Sequence, residues 1–255
     1  MSETGRISAF LCATEEAACD EVRPARCGTV LLTPSLPTVW QLNALRVEDP
    51  GADAADVAAE AEELLGDLGH RMLFVPDRAQ GTRLAPDLVR RGWNATRLLV
   101  MVRQRPPDRA DEPGLGAEVD REAGARSLGA FRREQSLDGG DRTIGELEAM
   151  DDRFTAAAAG RDFVAPPGEG FSCCRLLARD GIGQVDQVCT LTAHRNRGHA
   201  RAALGAALAA AADLETVFLL TDSEDWPQHL YRKLGFEPSG VEWEFLKLPL
   251  SAASP

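Results

Sequence analysis

The chain has 255 residues, 28 Lys and Arg against 40 Asp and Glu, a formal net charge of -12 and a pI near 4.9. That length suits one large α/β domain or two small ones, and that charge argues against a nucleic acid or an anionic membrane face as partner. With 44% hydrophobic and 27% charged residues the composition is that of a folded globular chain, low only in aromatics, with a single tyrosine.

Near the N-terminus an apolar run is interrupted by Glu15 and Glu16, unlike a secretory signal. No apolar stretch approaches the roughly 20 residues needed to cross a bilayer, so the chain reads as soluble and cytoplasmic. Periodicity predicts a helix over Ser8–Glu21, a strand over Gly28–Leu32 and an extended piece over Val39–Val47. An acidic, alanine-rich helix follows over Ala54–Leu68, then a strand Arg71–Val75, a helix Leu84–Arg91 and a strand Thr96–Val102. Proline, glycine and charge then displace the apolar pattern over Arg105–Gly114, as in a linker. Beyond it come helices near Ala117–Arg133 and Ile144–Ala159, and a strand Phe171–Ala178 that turns at Asp180-Gly181 into a second, Gly183–Leu191. A helix Ala200–Leu214, a strand Thr216–Thr221, a helix Trp226–Leu234 and a strand Glu242–Leu248 complete the chain. This gives an N-terminal domain over residues 1–104, a linker over 105–116 and a second domain over 117–255.

The two parts rhyme. Arg71–Asp77 and Thr216–Asp222 are apolar strands that finish on aspartate, and each leads to a helix closed by a glycine and an aromatic, Gly92-Trp93 or Gly235-Phe236. A glycine after the last helical turn supplies the left-handed cap from which the next strand departs. The correspondence extends to the helices and strands before these, which suggests an internal duplication.

The six cysteines (Cys12, Cys19, Cys27, Cys173, Cys174 and Cys189) lack zinc spacing and read as buried reduced thiols, with Cys173 and Cys174 on opposite faces of a strand. The four histidines form no ligand pair, so no metal is expected, and no Ser-His-acid or Cys-His arrangement can be assembled around them. The informative segment is Val185 to Leu204, a strand, a turn and a helix. Its turn, Arg195-Asn196-Arg197-Gly198-His199-Ala200-Arg201, presents unpaired N–H groups and the positive end of a helix dipole, with a glycine where an anion approaches the main chain. It is neither a Walker loop nor a Gly-x-Gly-x-x-Gly turn. After the next strand comes Leu230-Tyr231-Arg232-Lys233-Leu234-Gly235-Phe236, which carries the only tyrosine.

Together, Arg195-x-x-Gly198-x-Ala200 and Leu230–Phe236 resemble the two signature motifs of the GNAT superfamily of acyl-CoA N-acyltransferases, over about Ala117–Leu250. The resemblance implies an α/β fold of layered α+β type: a mixed, largely antiparallel sheet with a splayed parallel strand pair, flanked by helices, here as two GNAT-like halves. It implies that the N–H groups of Arg195, Asn196, Arg197, Gly198, His199, Ala200 and Arg201 cradle the coenzyme pyrophosphate. It also implies that Val188, Cys189 and Thr190 offer their backbone to pantetheine, in a wedge against Thr216–Thr221.

Tyr231 matches the family position that protonates or hydrogen-bonds the coenzyme sulfur; the alternative is that it packs against the coenzyme. Asp186 is the candidate base, since an unbulged strand points it at the same face as Val188 and Thr190; otherwise it caps a turn or binds substrate. By the same alternation the Cys189 side chain turns away from Asp186, leaving only its backbone for the site.

In the first half the counterpart of the phosphate turn, Glu48–Ala54, carries three carboxylates and no arginine, and Leu88 or Val89 stands opposite Tyr231. A degenerate half-domain that does not bind coenzyme is expected, with Trp40 and Trp93 in the core or an interface. The implied activity is transfer of an acetyl group from acetyl-CoA to a primary amine of a small molecule, an amino acid derivative or a peptide. The alternative is a non-catalytic acyl-CoA-binding regulatory module. Oligomeric state stays open, a homodimer included.

Overall fold

The structure is a computed structural model, and it describes residues 2–109, 114–135 and 140–248. Helix α1 (Glu3–Ala18) starts on Ser2, whose hydroxyl accepts from the Gly5 N–H, and precedes β1 (Glu21–Pro24) and β2 (Gly28–Leu32). The predicted first helix is therefore displaced: it begins five residues earlier than Ser8, and Glu21 opens a strand. The extended piece resolves into a short 3-10 turn, Trp40–Leu42, and β3 (Ala44–Val47). Then come α2 (Ala54–Leu65), β4 (Arg71–Val75), α3 (Arg78–Arg90) and β5 (Asn94–Arg103). Asp53 and Asp77 cap the two helices by accepting N–H groups of their first turns, and Asp77 starts α3 six residues before the predicted Leu84.

Beyond residue 113 the order is β6 (Ala117–Val119), α4 (Arg121–Glu134), α5 (Gly140–Ala157), β7 (Arg161–Ala165), β8 (Ser172–Arg179) and β9 (Ile182–Thr190). A helix predicted from Ala117 thus begins with a strand, and residues 110–113 of the expected linker lie outside the described residues. Asp180 and Gly181, at φ 50° and 77°, form the left-handed turn that the twist of a hairpin favours. The last elements are α6 (His199–Ala210), β10 (Thr216–Asp222), α7 (Pro227–Lys233) and β11 (Phe236–Lys247).

All strands join one eleven-stranded sheet in the order β1-β2-β3-β4-β11-β5-β10-β9-β8-β7-β6. Pairing is antiparallel except for β3 with β4 and β9 with β10. Read inward from either edge, the sheet repeats itself: an antiparallel run, a parallel pair, then a strand from the other half. Strand β5 ends the first half but lies against β10, and β11 ends the second but lies against β4; the two exchanged strands pair with each other at the centre. Helices α2 and α6 connect the parallel pairs, and α3 and α7 follow them, so the chain consists of two GNAT-like halves around a shared sheet.

Helices α2, α3, α6 and α7 cover one face of the sheet, and Trp243 packs against both of their cores. Helices α1, α4 and α5 cover the other, where Phe10 of α1 meets Phe218 of β10 edge to face with centroids 5.6 Å apart. On that second face lies a buried ion network. Arg132 donates to both oxygens of Asp151 at 2.8 and 3.1 Å, and Arg175 bonds Asp162 at 2.8 Å and lies 3.2 Å from Asp151. Each charge is matched, as burial at this depth requires, and the network fixes α4 and α5 over β7 and β8. Among the described residues no helix is long and apolar enough to cross a membrane, and no group of three His, Cys, Asp or Glu is placed to hold a metal ion.

Candidate active site

Strands β9 and β10 pair only where Ile182, Gly183 and Gln184 face Thr216, Val217 and Phe218. Both continue, β9 to Thr190 and β10 to Asp222, without pairing to each other, so a wedge opens between them. At its wide end the chain makes a 3-10 turn over Thr192–His194 and then the Arg195–Gly198 turn into α6. Gly198 is the N-cap, at φ 83°, with no side-chain cap, and a Cβ placed on it would meet nothing within 4 Å. The first-turn N–H groups of α6 therefore face open space at the positive end of the helix dipole.

Wedge, turn and α7 enclose a cavity of about 610 Å³. From the sequence-predicted set, Val188, Cys189 and Thr190 line its strand side, and Arg195, Asn196, Gly198, His199, Ala200 and Arg201 line its turn. Arg197 is exposed beside it. Two of the turn's guanidinium groups are already engaged. Arg195 donates to the Thr190 carbonyl at 3.3 Å, while Arg201, buried, bonds the Arg109 carbonyl at 2.8 Å and Asp108 at 2.9 Å, tying α6 to the linker. Tyr231 lines the α7 side: its ring is buried edge-on against Phe236, and burial holds its phenol well above the ordinary value, in the neutral, donating form.

Position-by-position reading of the strand needs one correction. Gln187 stands at φ 53°, and the β8–β9 register slips there: Cys173 faces Cys189, whereas Arg175 faces Asp186. A bulge adds one residue and so reverses the alternation beyond it. Asp186 consequently lies on the α4–α5 face with Arg175, whereas Val188 and Thr190 lie on the α6–α7 face. The Cys189 side chain, expected to turn away from Asp186, shares its face, and packs with Leu128 and Val164. Burial raises the Asp186 carboxyl, which the Gln187 N–H and Arg175 only partly offset. Tyr231 and Asp186 therefore flank the wedge from opposite faces of the sheet.

Other groups were not legible in advance. Glu242 and Glu244 of β11 alternate on the α1 face, where burial raises both to about 7; Glu244 adds repulsion to Glu242, and Asp186 and Asp222 add it to Glu244. Glu15 of α1 joins them, raised by burial to about 8 despite Arg46 beside it. Phe131 of α4 and the exposed Trp226 also line the cavity, and Glu134 accepts the Thr192 N–H at 3.0 Å. His194 stacks on Phe171 with centroids 3.5 Å apart.

The corresponding place in the first half is closed. Asp53 accepts the N–H groups of Ala55 and Asp56 at 2.8 and 2.9 Å, so its own carboxylate occupies the helix start where an anion would sit. Helix α3 is stitched to the turn: Gln80 donates to the Asp49 carbonyl at 2.6 Å, and Arg83 to those of Pro50 and Ala52 at 2.9 and 3.0 Å. Leu88, four residues before Gly92 as Tyr231 is before Gly235, is fully buried, whereas Val89 is exposed. Trp93 is in the core, whereas Trp40 is 42% exposed and so lies outside it.

Residues 151–238 match the family model of the acetyltransferase (GNAT) domain, a span that includes β9, the Arg195–Gly198 turn, α6, β10 and α7. No curated protein matches the sequence. Among solved structures, the chain is similar to a functionally unknown conserved protein from Staphylococcus epidermidis, with a TM-score of 0.68 at 12% identity over 92% of this chain and 96% of that one. It is similar to a GCN5-related N-acetyltransferase from Kribbella flavida, with a TM-score of 0.63 at 19% identity over 99% and 98%. A GCN5-related N-acetyltransferase from Sphaerobacter thermophilus aligns with a TM-score of 0.54 at 17% identity over 75% of this chain and 66% of that one. These likenesses speak for the fold, and the matched domain supports chemistry of the acyl-transfer type. A splayed parallel pair, the Arg195–Gly198 turn at the open start of α6 and the matched segment thus fall in one place: residues 151–238 resemble the acetyltransferase (GNAT) domain, in a chain whose fold is GNAT-like.

Proposed function

We propose that the second half is an N-acetyltransferase that takes an acetyl group from acetyl-CoA and passes it directly to a primary amine of a small molecule, an amino acid derivative or a peptide. The observation that carries this reading is the wedge of unpaired β9 backbone leading from the uncapped start of α6 into a cavity bounded by Tyr231. The residues present fit an acyl-CoA. Free N–H groups and a glycine with open space above it suit a pyrophosphate, and unpaired strand edges suit the amides of pantetheine. When bound, the coenzyme supplies an acyl thioester.

The side chains have separate tasks. Asp186, directly or through water, takes the proton that the amine loses on the α4–α5 face, and its raised pKa brings it closer to the strength such a base needs. Tyr231, on the other face, gives a proton to the departing sulfur, and its buried neutral phenol suits that role. Removal and delivery on opposite faces avoid a short circuit between acid and base. Glu15, Glu242 and Glu244, raised by burial, would lose their protons more readily beside a cation, which favours an acceptor that arrives as an ammonium ion.

The test is thiol release from acetyl-CoA with a panel of mono-, di- and polyamines, amino acid derivatives and peptides. Wild-type protein turns over at least one of them, and Tyr231→Phe lowers kcat by about a hundredfold while leaving coenzyme affinity within about twofold. Tight coenzyme binding without turnover on any amine would make the chain a coenzyme-binding regulatory module instead.

A further inference from the structure

Cys173 of β8 and Cys189 of β9 face each other directly across the strand pair, with their Sγ atoms 3.1 Å apart. Residues directly opposed in an antiparallel pair have Cα atoms about 4.5 to 5.5 Å apart, inside the span that a disulfide bridges. Bond formation therefore asks the two sulfur atoms to close by about 1 Å, to the usual 2.05 Å, without moving either strand far. Both side chains are buried, and Cys189 lies on the strand edge that borders the 610 Å³ cavity. Cys174, the next residue, points into the core on the other face and has no sulfur partner.

The two sulfurs are also chemically unequal. The hydrogen bond between them, with help from Arg132, holds the Cys189 thiol below its ordinary value, and the same bond together with burial holds Cys173 well above it. Burial pushes Cys12 and Cys19 up to about 11 and Cys27 to about 12, so those thiols carry little thiolate at neutral pH. Among the described cysteines, the thiol held low belongs to the residue that borders the cavity.

We propose that Cys173 and Cys189 form a reversible oxidation site that takes a hydroperoxide as its oxidant and closes into a cross-strand disulfide beside the coenzyme wedge. The Cys189 thiolate attacks the distal peroxide oxygen and the O–O bond breaks, leaving a sulfenic acid on Cys189 and releasing water, or an alcohol from an organic hydroperoxide. The Cys173 thiol, losing its proton, then attacks the Cys189 sulfur, and the hydroxyl leaves as a second water. Overall, two thiols lose two electrons and two protons to one peroxide. Closure draws Cys189 toward β8 and away from β10, which widens the wedge on the strand whose backbone faces the coenzyme.

The full-length reduced protein is treated with hydrogen peroxide, denatured, alkylated and mapped by mass spectrometry. Two thiols per chain should disappear together with a loss of two hydrogens, and dithiothreitol should restore them. Cys174→Ser should keep this behaviour. In Cys173→Ser, and in Cys173→Ala should the first variant fail to fold, oxidation should stop at a Cys189 sulfenic acid that dimedone captures. Coenzyme A, titrated by calorimetry, should bind the oxidised protein about tenfold more weakly than the reduced one. The proposal is overturned if both thiols remain free after peroxide, if the bond joins other cysteines, or if the oxidised and reduced proteins bind coenzyme A alike. Thiol mapping needs no acyl transfer, so it succeeds or fails independently of the proposed enzymatic activity.

Discussion

At the scale of single residues, the chain keeps several carboxyls where water is scarce. Glu242 and Glu244 point to the α1 face with Glu15, Asp186 and Asp222 as acidic neighbours and Arg46 as the cation nearest Glu15. Arg46 is itself shared among Glu15, Glu16 and Glu48. A carboxyl raised from 4.5 to about 7 holds, in the native state, a proton that the unfolded chain has released. Its contribution to stability is therefore complete below about pH 4.5 and is lost as the pH rises toward 7. Glu242→Gln should stabilise the protein at pH 8 by on the order of 1 to 2 kcal/mol, a rise in Tm of about 3 °C, and by close to nothing at about pH 4. Thermal denaturation at the two pH values checks this, and an equal gain at both would contradict the assigned protonation. The alternation of Glu242 and Glu244 with Trp243 and Phe245 was legible as a two-faced strand. That the polar face meets α1, and not solvent, was not, because alternation does not say what covers a face. Asp186 failed for a different reason: the bulge at Gln187 reverses parity by one residue, and glutamine carries no signal for a left-handed backbone.

At the scale of elements, the strand–turn–helix unit from β9 to α6 is the most legible part of the molecule. Its residues determine its geometry locally: Gly198 at φ 83° turns the chain, and the helix that follows is alanine-rich. Gly198→Glu places a side chain at a left-handed position, costing roughly 1 to 2 kcal/mol of stability, and sets a negative charge where the pyrophosphate should lie. Coenzyme A affinity should fall by more than tenfold in that variant while the protein stays folded, as calorimetric titration and circular dichroism would read. Retained affinity would remove the turn from the coenzyme site. The elements missed were β1, β6 and β7, with four, three and five residues. Two are short edge strands, and β7 opens on Arg161-Asp162, so a period of two never accumulates. Helix α3 is longer than the predicted Leu84–Arg91, because the Asp77 cap starts it at Arg78 and it continues through Pro86.

At the scale of the whole molecule, the exchange of β5 and β11 ties the halves together. Strand β11 pairs along nearly its whole length with β5, from Phe236 facing Arg103 to Leu246 facing Asn94, and also with β4. Severed within the linker, residues 1–109 would lose β11 beside β4 and both neighbours of β5, and residues 114–255 would lose β5 beside β10 and both neighbours of β11. Each fragment expressed alone should therefore be insoluble or unfolded, exposing Met101 or Phe245, both fully buried in the intact chain. Co-expression should recover a soluble complex with the circular dichroism spectrum of the intact protein, whereas two independently folded fragments would contradict the exchange. By itself the sequence determined most of the succession of elements, the duplicated pattern, the strand–turn–helix unit around Gly198 and the lone tyrosine, because caps, turns and periodicity act over a few residues. Only the tertiary structure decided which strand lies beside which, on which face Asp186 stands, that Cys173 meets Cys189, and that Glu242 and Glu244 are half-buried. Those outcomes depend on pairings between segments far apart in the chain, where short-range pattern is silent and the packing of the whole sheet selects the partner.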